Sequence, residues 1–94
     1  DLPAALRAGD DEAFEELIRR HGPQMLAVIR RYLPEESDAQ DALQEALLSV
    51  FKAIERFQGD SSLATWLHRI AVNAALMRLR TRRRRPEKPI EDLL

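Results

Sequence analysis

The sequence places apolar residues every three or four positions in three long segments, and this spacing constrains the fold more than any other feature. The segments run from Phe14 to Leu33, from Ala39 to Ile54 and from Leu63 to Met77. Because an α helix brings residues at this spacing to one side, each segment is predicted to be a helix with one apolar face. The chain has only 3 Gly among 94 residues, and no segment alternates apolar and polar residues as a strand does. We therefore predict an all-α fold, a compact bundle of about four helices.

Proline and capping residues predict where these helices begin and end. A short first helix is expected from Asp1 to Ala8. Pro23 is expected to kink or break the second helix, because proline lacks an N–H and crowds the preceding turn. Ser37 to Gln40 has the form of a capping box, S-x-x-Q, and is predicted to open a helix that reaches about Arg56.

The last helix is predicted to be long and to end in a run of arginines. Ser61 or Ser62 is expected to cap it, and it must end near Arg85 because Pro86 disfavours helix in the residue before it. Its predicted buried stripe consists of Leu63, Trp66, Leu67, Ile70, Ala74 and Met77.

The length allows one domain, which we place at residues 1–85, followed by a linker at residues 86–94. We expect the chain to be a fragment of a longer cytoplasmic protein. No apolar run approaches the ~20 residues of a membrane span, and no signal-peptide pattern is present. The chain also has no Cys, so neither disulfides nor thiolate metal sites are possible.

The sequence predicts no catalytic residue, no metal site and no cofactor. His21 and His68 are far apart in the chain, and we expect the first at the edge of the core and the second on the surface. Asp60, Ser61 and His68 are residue types of a hydrolase triad, but helix capping explains the aspartate and the serine more simply. We therefore expect a binding module and not an enzyme.

Charge is divided sharply along the chain. Residues 1–60 hold 13 acidic and 7 basic residues, whereas residues 61–86 hold seven Arg and no acid. An acidic half joined to a basic half indicates two partners of opposite character, and the basic half suits nucleic acid.

One face of the predicted third helix carries charged residues around an apolar one. At 100° per residue, Asp38, Asp41, Glu45 and Leu48 cluster away from the apolar stripe, with Gln44 at the edge. An ordinary solvated face explains the charges equally well, but an exposed leucine among them is typical of a protein-docking patch.

The last helix has a polar strip without acids. The strip contains Ser62, Thr65, Arg69, Asn73, Leu76 and Arg80, beside Trp66. Arg and Asn bind phosphates and base edges, whereas an ordinary exposed face mixes charges of both signs. The basic residues Arg78, Arg80, Arg82, Arg83, Arg84 and Arg85 exceed what a helix dipole needs, so phosphate binding is the better account.

Two motifs in this order resemble a known family. Residues 38–47 read D-A-Q-D-A-L-Q-E-A-L, similar to the D-A-x-D-x-x-Q-E-x-F element of bacterial sigma factors. Residues 57–73 read F-Q-G-D-S-S-L-A-T-W-L-H-R-I-A-V-N, similar to their F-x-G-D-S-x-x-x-T-W-L-x-R-I-A-x-N element. With the opening residues 8–14, A-G-D-D-E-A-F, the resemblance covers about residues 4–85. It is to region two of the extracytoplasmic-function (ECF) group of RNA polymerase sigma factors.

The resemblance implies two partners and their residues. The first motif docks on the clamp coiled coil of the beta-prime subunit of core RNA polymerase, through Asp38, Asp41, Gln44, Glu45 and Leu48. The second motif reads the non-template strand of the promoter minus-ten element. The loop residues that would receive a flipped base are Gln58, Gly59, Asp60, Ser61 and Ser62. Arg69 and Asn73 would contact bases or the strand backbone, with Thr65 and Trp66 also in the DNA-binding set, and the six arginines from Arg78 to Arg85 would hold phosphates.

The resemblance also implies an anti-sigma factor as a partner, and a helix-turn-helix domain after the linker that is not in this chain. Three positions depart from the family pattern. Leu47 stands where Phe is usual, Phe51 where Trp or Tyr is common, and Met77 where Asp is frequent. We expect Leu47 and Phe51 to pack as apolar residues.

Two other functions remain open from the sequence. A stand-alone helical regulator would prefer duplex DNA to a single strand. A protein-interaction module would use its arginines to bind an acidic protein.

Overall fold

Four α helices and one short 3₁₀ helix make up the part of the chain that the structure describes. The computed structural model describes residues 1–57, 59 and 61–84, and of residues 83 and 84 it describes the backbone alone. The helices are α1 (Leu2–Arg7), α2 (Asp11–Tyr32), α3 (Glu36–Ala53), the 3₁₀ helix (Ile54–Arg56) and α4 (Leu63–Arg84). These residues contain no strand, and the prediction of an all-α fold is confirmed. The predicted helix end near Arg85 and the linker lie outside the described residues.

Helix α2 is continuous through Pro23, so of the predicted kink or break the break is wrong. Asp10 caps the helix, accepting a hydrogen bond from the N–H of Glu12 at 2.9 Å. Proline removes one internal hydrogen bond, but the apolar face continues on both sides of it. Leu17 before the proline and Ile29 after it are fully buried, and their burial keeps both halves of the helix packed on the core.

Helix α3 begins two residues earlier than the predicted cap at Ser37 implies, and without the predicted capping box. Its N-cap is Glu35, which makes no side-chain cap bond. Glu36 instead accepts hydrogen bonds from Nε and Nη2 of Arg30, at 2.9 and 2.7 Å, and from Gln40 at 2.8 Å. An ion pair to the end of α2 therefore fixes this helix start. At the other end α3 stops at Ala53 and tightens into the 3₁₀ helix that ends at Arg56.

The core lies where α2, α3 and α4 pack on one another, with α1 covering the end of α2 and the 3₁₀ helix. Five alanines on α3 and α4 are fully buried, and we call them the alanine seam: Ala39, Ala42, Ala46, Ala71 and Ala75. Side chains this small let two helix axes approach closely.

The buried stripe of α4 differs in part from the predicted one. It follows Leu67, Ala71 and Ala75, whereas Met77 is 60% exposed. The other predicted members, including Trp66 and Ile70, pack at the edge of the core. None of the described helices is long and apolar enough to cross a membrane.

Candidate protein and nucleic-acid interfaces

An acidic stripe runs along α3 beside the alanine seam. Asp38, Asp41 and Glu45 each immediately precede a seam alanine, so their spacing of three and four residues puts them on one side of the helix. Their side chains are 15%, 57% and 53% exposed, in that order. The structure therefore brings the three predicted polymerase-binding carboxylates together on one surface.

Two arginines of α4 lie on this stripe. Arg78 donates from Nη1 to Oε1 of Glu45 at 3.0 Å and from Nη2 to Oδ2 of Asp41 at 3.1 Å. Its Nε and Nη2 lie 3.4 and 3.3 Å from Oδ1 of Asp38. Arg82 donates to the other oxygen of Asp38. Two of the arginines predicted to hold phosphates thus contact the carboxylates predicted to hold the polymerase.

The stripe continues into an apolar groove that the sequence did not predict. Leu48 and Phe51 are exposed, and the Phe51 ring meets the edge of Phe14 with the ring centroids 5.8 Å apart. With Gln44 and Leu47 these residues line a groove of about 530 Å³. The expectation that Phe51 packs is met only by this edge contact, because 62% of the residue is exposed. We call Asp38, Asp41, Gln44, Glu45, Leu48 and Phe51 the docking face.

The loop between the 3₁₀ helix and α4 is anchored by Phe57. This ring is buried and lies against Trp66, with 5.0 Å between the ring centroids. Its carbonyl accepts a hydrogen bond from Nη1 of Arg7 at 3.3 Å, which ties α1 to the loop. Gly59 has φ +79°, a backbone conformation that residues other than glycine rarely adopt. Gln58 and Asp60, both predicted to bind DNA, lie outside the described residues.

Ser62 caps α4, as one of the two predicted alternatives. Its Oγ accepts from the N–H of Thr65 at 3.1 Å and donates to Oγ1 of Thr65 at 2.9 Å. Two of the three hydroxyls predicted to contact DNA, those of Ser62 and Thr65, therefore already help to hold the first turn of the helix. Ser61, at the end of the loop, is half-buried.

The strip predicted to bind DNA lies open along α4. Thr65, Arg69, Asn73 and Arg80 are all exposed, and we call these four the strand face. At 1.5 Å per residue they extend over roughly 22 Å. Met77 adds an exposed apolar side chain to this surface. The side chains of Arg83 and Arg84, and all of Arg85, lie outside the described residues.

A second groove, of about 480 Å³, separates α2 from the start of α4. It is lined in part by His21, Val28, Thr65 and His68. His21 is half-buried as expected, and burial lowers its pKa below the usual 6.5, with a smaller effect from Arg20. Within the described residues no three His, Cys, Asp or Glu side chains form a metal site.

The fold and these surfaces place the chain among small all-helical modules that carry an acidic face and an arginine-rich helix. Residues 17–85 match the family described as Sigma-70 region 2, and the chain belongs to this family.

The sequence is also similar to curated ECF RNA polymerase sigma factors. The ECF RNA polymerase sigma factor SigM of Mycobacterium tuberculosis is 44% identical over 93 residues, covering 99% of this chain and 47% of that protein. The ECF RNA polymerase sigma-E factor of Escherichia coli K12 is 40% identical over 93 residues, covering 99% and 48%. The chain thus spans about half the length of the curated relatives it matches. The resemblance to the ECF group is confirmed.

A solved structure shares the fold closely. It is an NMR structure of an engineered region 2 of sigmaE in complex with GTAAAA. It superposes with a TM-score of 0.84 at 34% identity, covering 93% of this chain and 90% of that one.

Proposed function

We propose that this chain is the part of a transcription initiation factor that binds core RNA polymerase and opens the promoter at the minus-ten element. The observation that supports this most strongly is the presence of two different faces on one small bundle. The docking face combines carboxylates with an apolar groove, and the strand face carries Arg, Asn and Thr with no acid between residues 61 and 84. One molecule can therefore hold a protein and a nucleic acid at the same time.

The docking face suits a helical partner with basic and apolar side chains. Apolar contacts at the groove supply affinity, whereas the exposed carboxylates steer and orient a cationic partner. The clamp coiled coil of the beta-prime subunit, which the family resemblance implies, is the partner we propose. The departures at positions 47 and 51 keep the groove apolar, and position 51 remains aromatic, so we expect both to be compatible with docking.

The strand face suits a single strand better than a duplex. Opening a duplex costs about 1.4 kcal/mol per base-pair step, and stacking one exposed base on an aromatic side chain returns about 1–3 kcal/mol. The loop that begins at Phe57 would take up a flipped non-template base, and Arg69 and Asn73 would contact the strand beyond it. Capture of the open strand lowers the free energy of the open state alone, so the module favours melting without doing work on the duplex.

The proposal is tested by comparing DNA ligands. Fluorescence anisotropy would measure the affinity of the 94-residue chain for a set of single strands that includes GTAAAA, and for the matching duplexes. We expect preference for particular single strands, with affinity falling as salt rises. Tighter binding to duplex would favour a stand-alone regulator. Binding to neither, together with salt-sensitive capture of acidic proteins, would favour an interaction module.

Two sets of substitutions should separate the faces. Asp41→Asn with Glu45→Gln should weaken binding to core polymerase at least tenfold, because buried charge pairs at interfaces are worth about 2 kcal/mol or more. Glu15→Gln with Glu55→Gln removes the same charge from exposed positions outside the docking face and serves as the control. Asn73→Ala should spare docking and reduce discrimination between single strands. Unchanged strand preference in Asn73→Ala would refute the assignment of a base contact to this residue.

The role of the whole factor belongs to the same proposal. We propose that residues 1–85 act as the region-two domain of a longer, non-enzymatic cytoplasmic factor. In this proposal residues 86–94 begin the linker to a helix-turn-helix domain that reads the minus-thirty-five element. An anti-sigma factor that covers the docking face would keep the factor inactive, because it competes directly with the polymerase.

A further inference from the structure

Arg78 belongs by its geometry to the docking face and not to the strand face. It reaches three carboxylates at once, on three successive turns of α3, with donor–acceptor distances from 3.0 to 3.4 Å. Its side chain is 27% exposed, whereas Arg80, two residues further along α4, is exposed to solvent.

The helical position of Arg78 explains this difference. It follows Ala71 and Ala75 at seven and three residues, so it continues the buried side of α4 beyond the alanine seam. At 100° per residue, Arg78 points about 160° away from Arg80 and about 140° away from Asn73. A strand lying along the strand face would thus run on the opposite side of α4 from this guanidinium.

We propose that Arg78 is a positioning residue for the docking face, and that it holds Asp41 and Glu45 ready for the polymerase instead of holding DNA phosphates. The proposal rests on the polymerase-binding function proposed above. Arg78 contacts Oδ2 of Asp41 and Oε1 of Glu45, which leaves a second oxygen on each carboxylate to accept a hydrogen bond from a partner. A planar guanidinium suits this task because its donors diverge in a fixed fork.

Two opposing effects on docking follow from this contact. Arg78 restrains two exposed side chains, so their conformational freedom is already reduced before the partner arrives. Arg78 also cancels part of the negative charge that attracts a basic partner. That attraction acts over many ångströms and is screened over about 8 Å at physiological salt, whereas the Arg78 contacts of 3.0 and 3.1 Å lie well inside this length and are weakened less. We therefore expect the restraint to dominate at physiological salt.

The test measures both activities in the same two variants of the 94-residue chain. Arg78→Ala should weaken binding to core polymerase about fivefold to tenfold at physiological salt. The logarithmic salt dependence of its binding to single-stranded GTAAAA should stay unchanged. Arg80→Ala is the matched control, with the same loss of charge two residues away. It should leave docking unchanged and reduce the slope of strand binding against salt by about 0.7, the value for one phosphate contact on a single strand.

A background that lacks the carboxylates tests whether Arg78 acts through them. In the variant Asp41→Asn, Glu45→Gln, adding Arg78→Ala should change docking less than twofold, since the restrained charges are gone. A further loss of fivefold or more would mean that Arg78 contacts the partner directly, and would overturn the proposal. Unchanged or tighter docking by the single variant Arg78→Ala would overturn it as well, as would a reduced salt slope for strand binding.

Folding and function are kept apart by two further measurements. Circular dichroism would establish that each variant is helical and unfolds cooperatively. If Arg78→Ala fails to fold, Arg78→Lys retains the charge and most of the stem, and a docking loss with an unchanged salt slope is again expected. If the unsubstituted chain does not bind core polymerase, the proposed polymerase binding itself is refuted. If the unsubstituted chain and Arg78→Ala bind core polymerase equally well, only the role proposed for Arg78 is refuted.

Discussion

Replacing Asp38 with Asn should destabilise the bundle more than replacing any other carboxylate of the docking face. Asp38 is only 15% exposed, and it accepts hydrogen bonds from both Arg78 and Arg82, which lie 40 and 44 residues away in the chain. Asparagine keeps the shape of the side chain and one carbonyl oxygen. The substitution therefore removes the charge that joins the start of α3 to the end of α4 while leaving the packing in place.

The expected loss is about 2 kcal/mol. A hydrogen bond to a charged group contributes about 1.5–3 kcal/mol, and Asp38 makes such bonds to two arginines. The arginine side chains are 27% and 34% exposed, and the Arg78 bonds are long, so roughly half of the sum is lost to solvent screening. Asp38 also lies in the first turn of α3, where the helix dipole favours an acid by about 0.5 kcal/mol.

Urea unfolding followed by circular dichroism would measure this loss. The control is Asp41→Asn, which removes one contact from a carboxylate that is 57% exposed, and should cost less than about 1 kcal/mol. The difference between the unsubstituted chain and Asp38→Asn should shrink from 0.1 M to 1 M salt, as the screening length falls from about 10 to 3 Å. Equal stability of the two variants would refute the idea that Asp38 is the structural member of the acidic stripe.

Three further outcomes are expected. Burial holds the pKa of His21 below 6.5, so the unfolded chain binds a proton more readily than the folded one, and the contribution of neutral His21 to stability is complete above pH 6.5 and declines as the pH falls below that value. His21→Gln should therefore flatten the curve of unfolding free energy against pH in this range, and an unaltered curve would contradict the argument. Hydrogen bonds from Arg30 help to lower the pKa of Glu36 to about 2, so the contribution of ionised Glu36 to stability is present above pH 4.5 and is lost between pH 4.5 and about 2. Glu36→Gln should remove that part of the acid unfolding curve, and a variant that kept the full acid dependence would refute this role of Glu36. Phe57→Ala should lower the free energy of unfolding by about 3 kcal/mol and shift the fluorescence of Trp66 to longer wavelength, because the indole loses its buried neighbour. A fluorescence shift without destabilisation would mean that the Phe57 ring shields Trp66 without supporting the core.

The sequence predicted those features that depend on neighbouring residues. The number of helices, the cap at Ser62 and the exposure of Leu48 followed from periodicity and capping rules that act within a few residues. The break at Pro23 was predicted wrongly because the rule for proline considers only the neighbouring backbone, whereas burial of residues on both sides of it keeps the helix continuous. Ser37 was misread because an ion pair from a neighbouring helix fixed the helix start at Glu36.

Met77 shows why the buried side of α4 was assigned incorrectly. The predicted stripe contains the larger apolar residues Trp66, Ile70 and Met77, which give the stronger periodic signal in the sequence. The structure instead buries Ala71 and Ala75, whose small side chains contribute little to such a signal but permit close helix packing. The pairing of Arg78 with Asp38 was equally out of reach, since it depends on how α4 lies along α3 and not on any local motif.

The alanine seam connects the two candidate faces physically. Because α3 and α4 approach closely along small side chains, the arginines that follow the seam on α4 reach the acids that flank it on α3. The same helix turns its exposed side, with Arg69, Asn73 and Arg80, away from this contact. A single rigid helix therefore separates charges that serve a protein from charges that serve a nucleic acid, although both are arginines in one short stretch of sequence. Counting basic residues alone assigns all of them to DNA, whereas their angular position around α4 assigns each to its own surface.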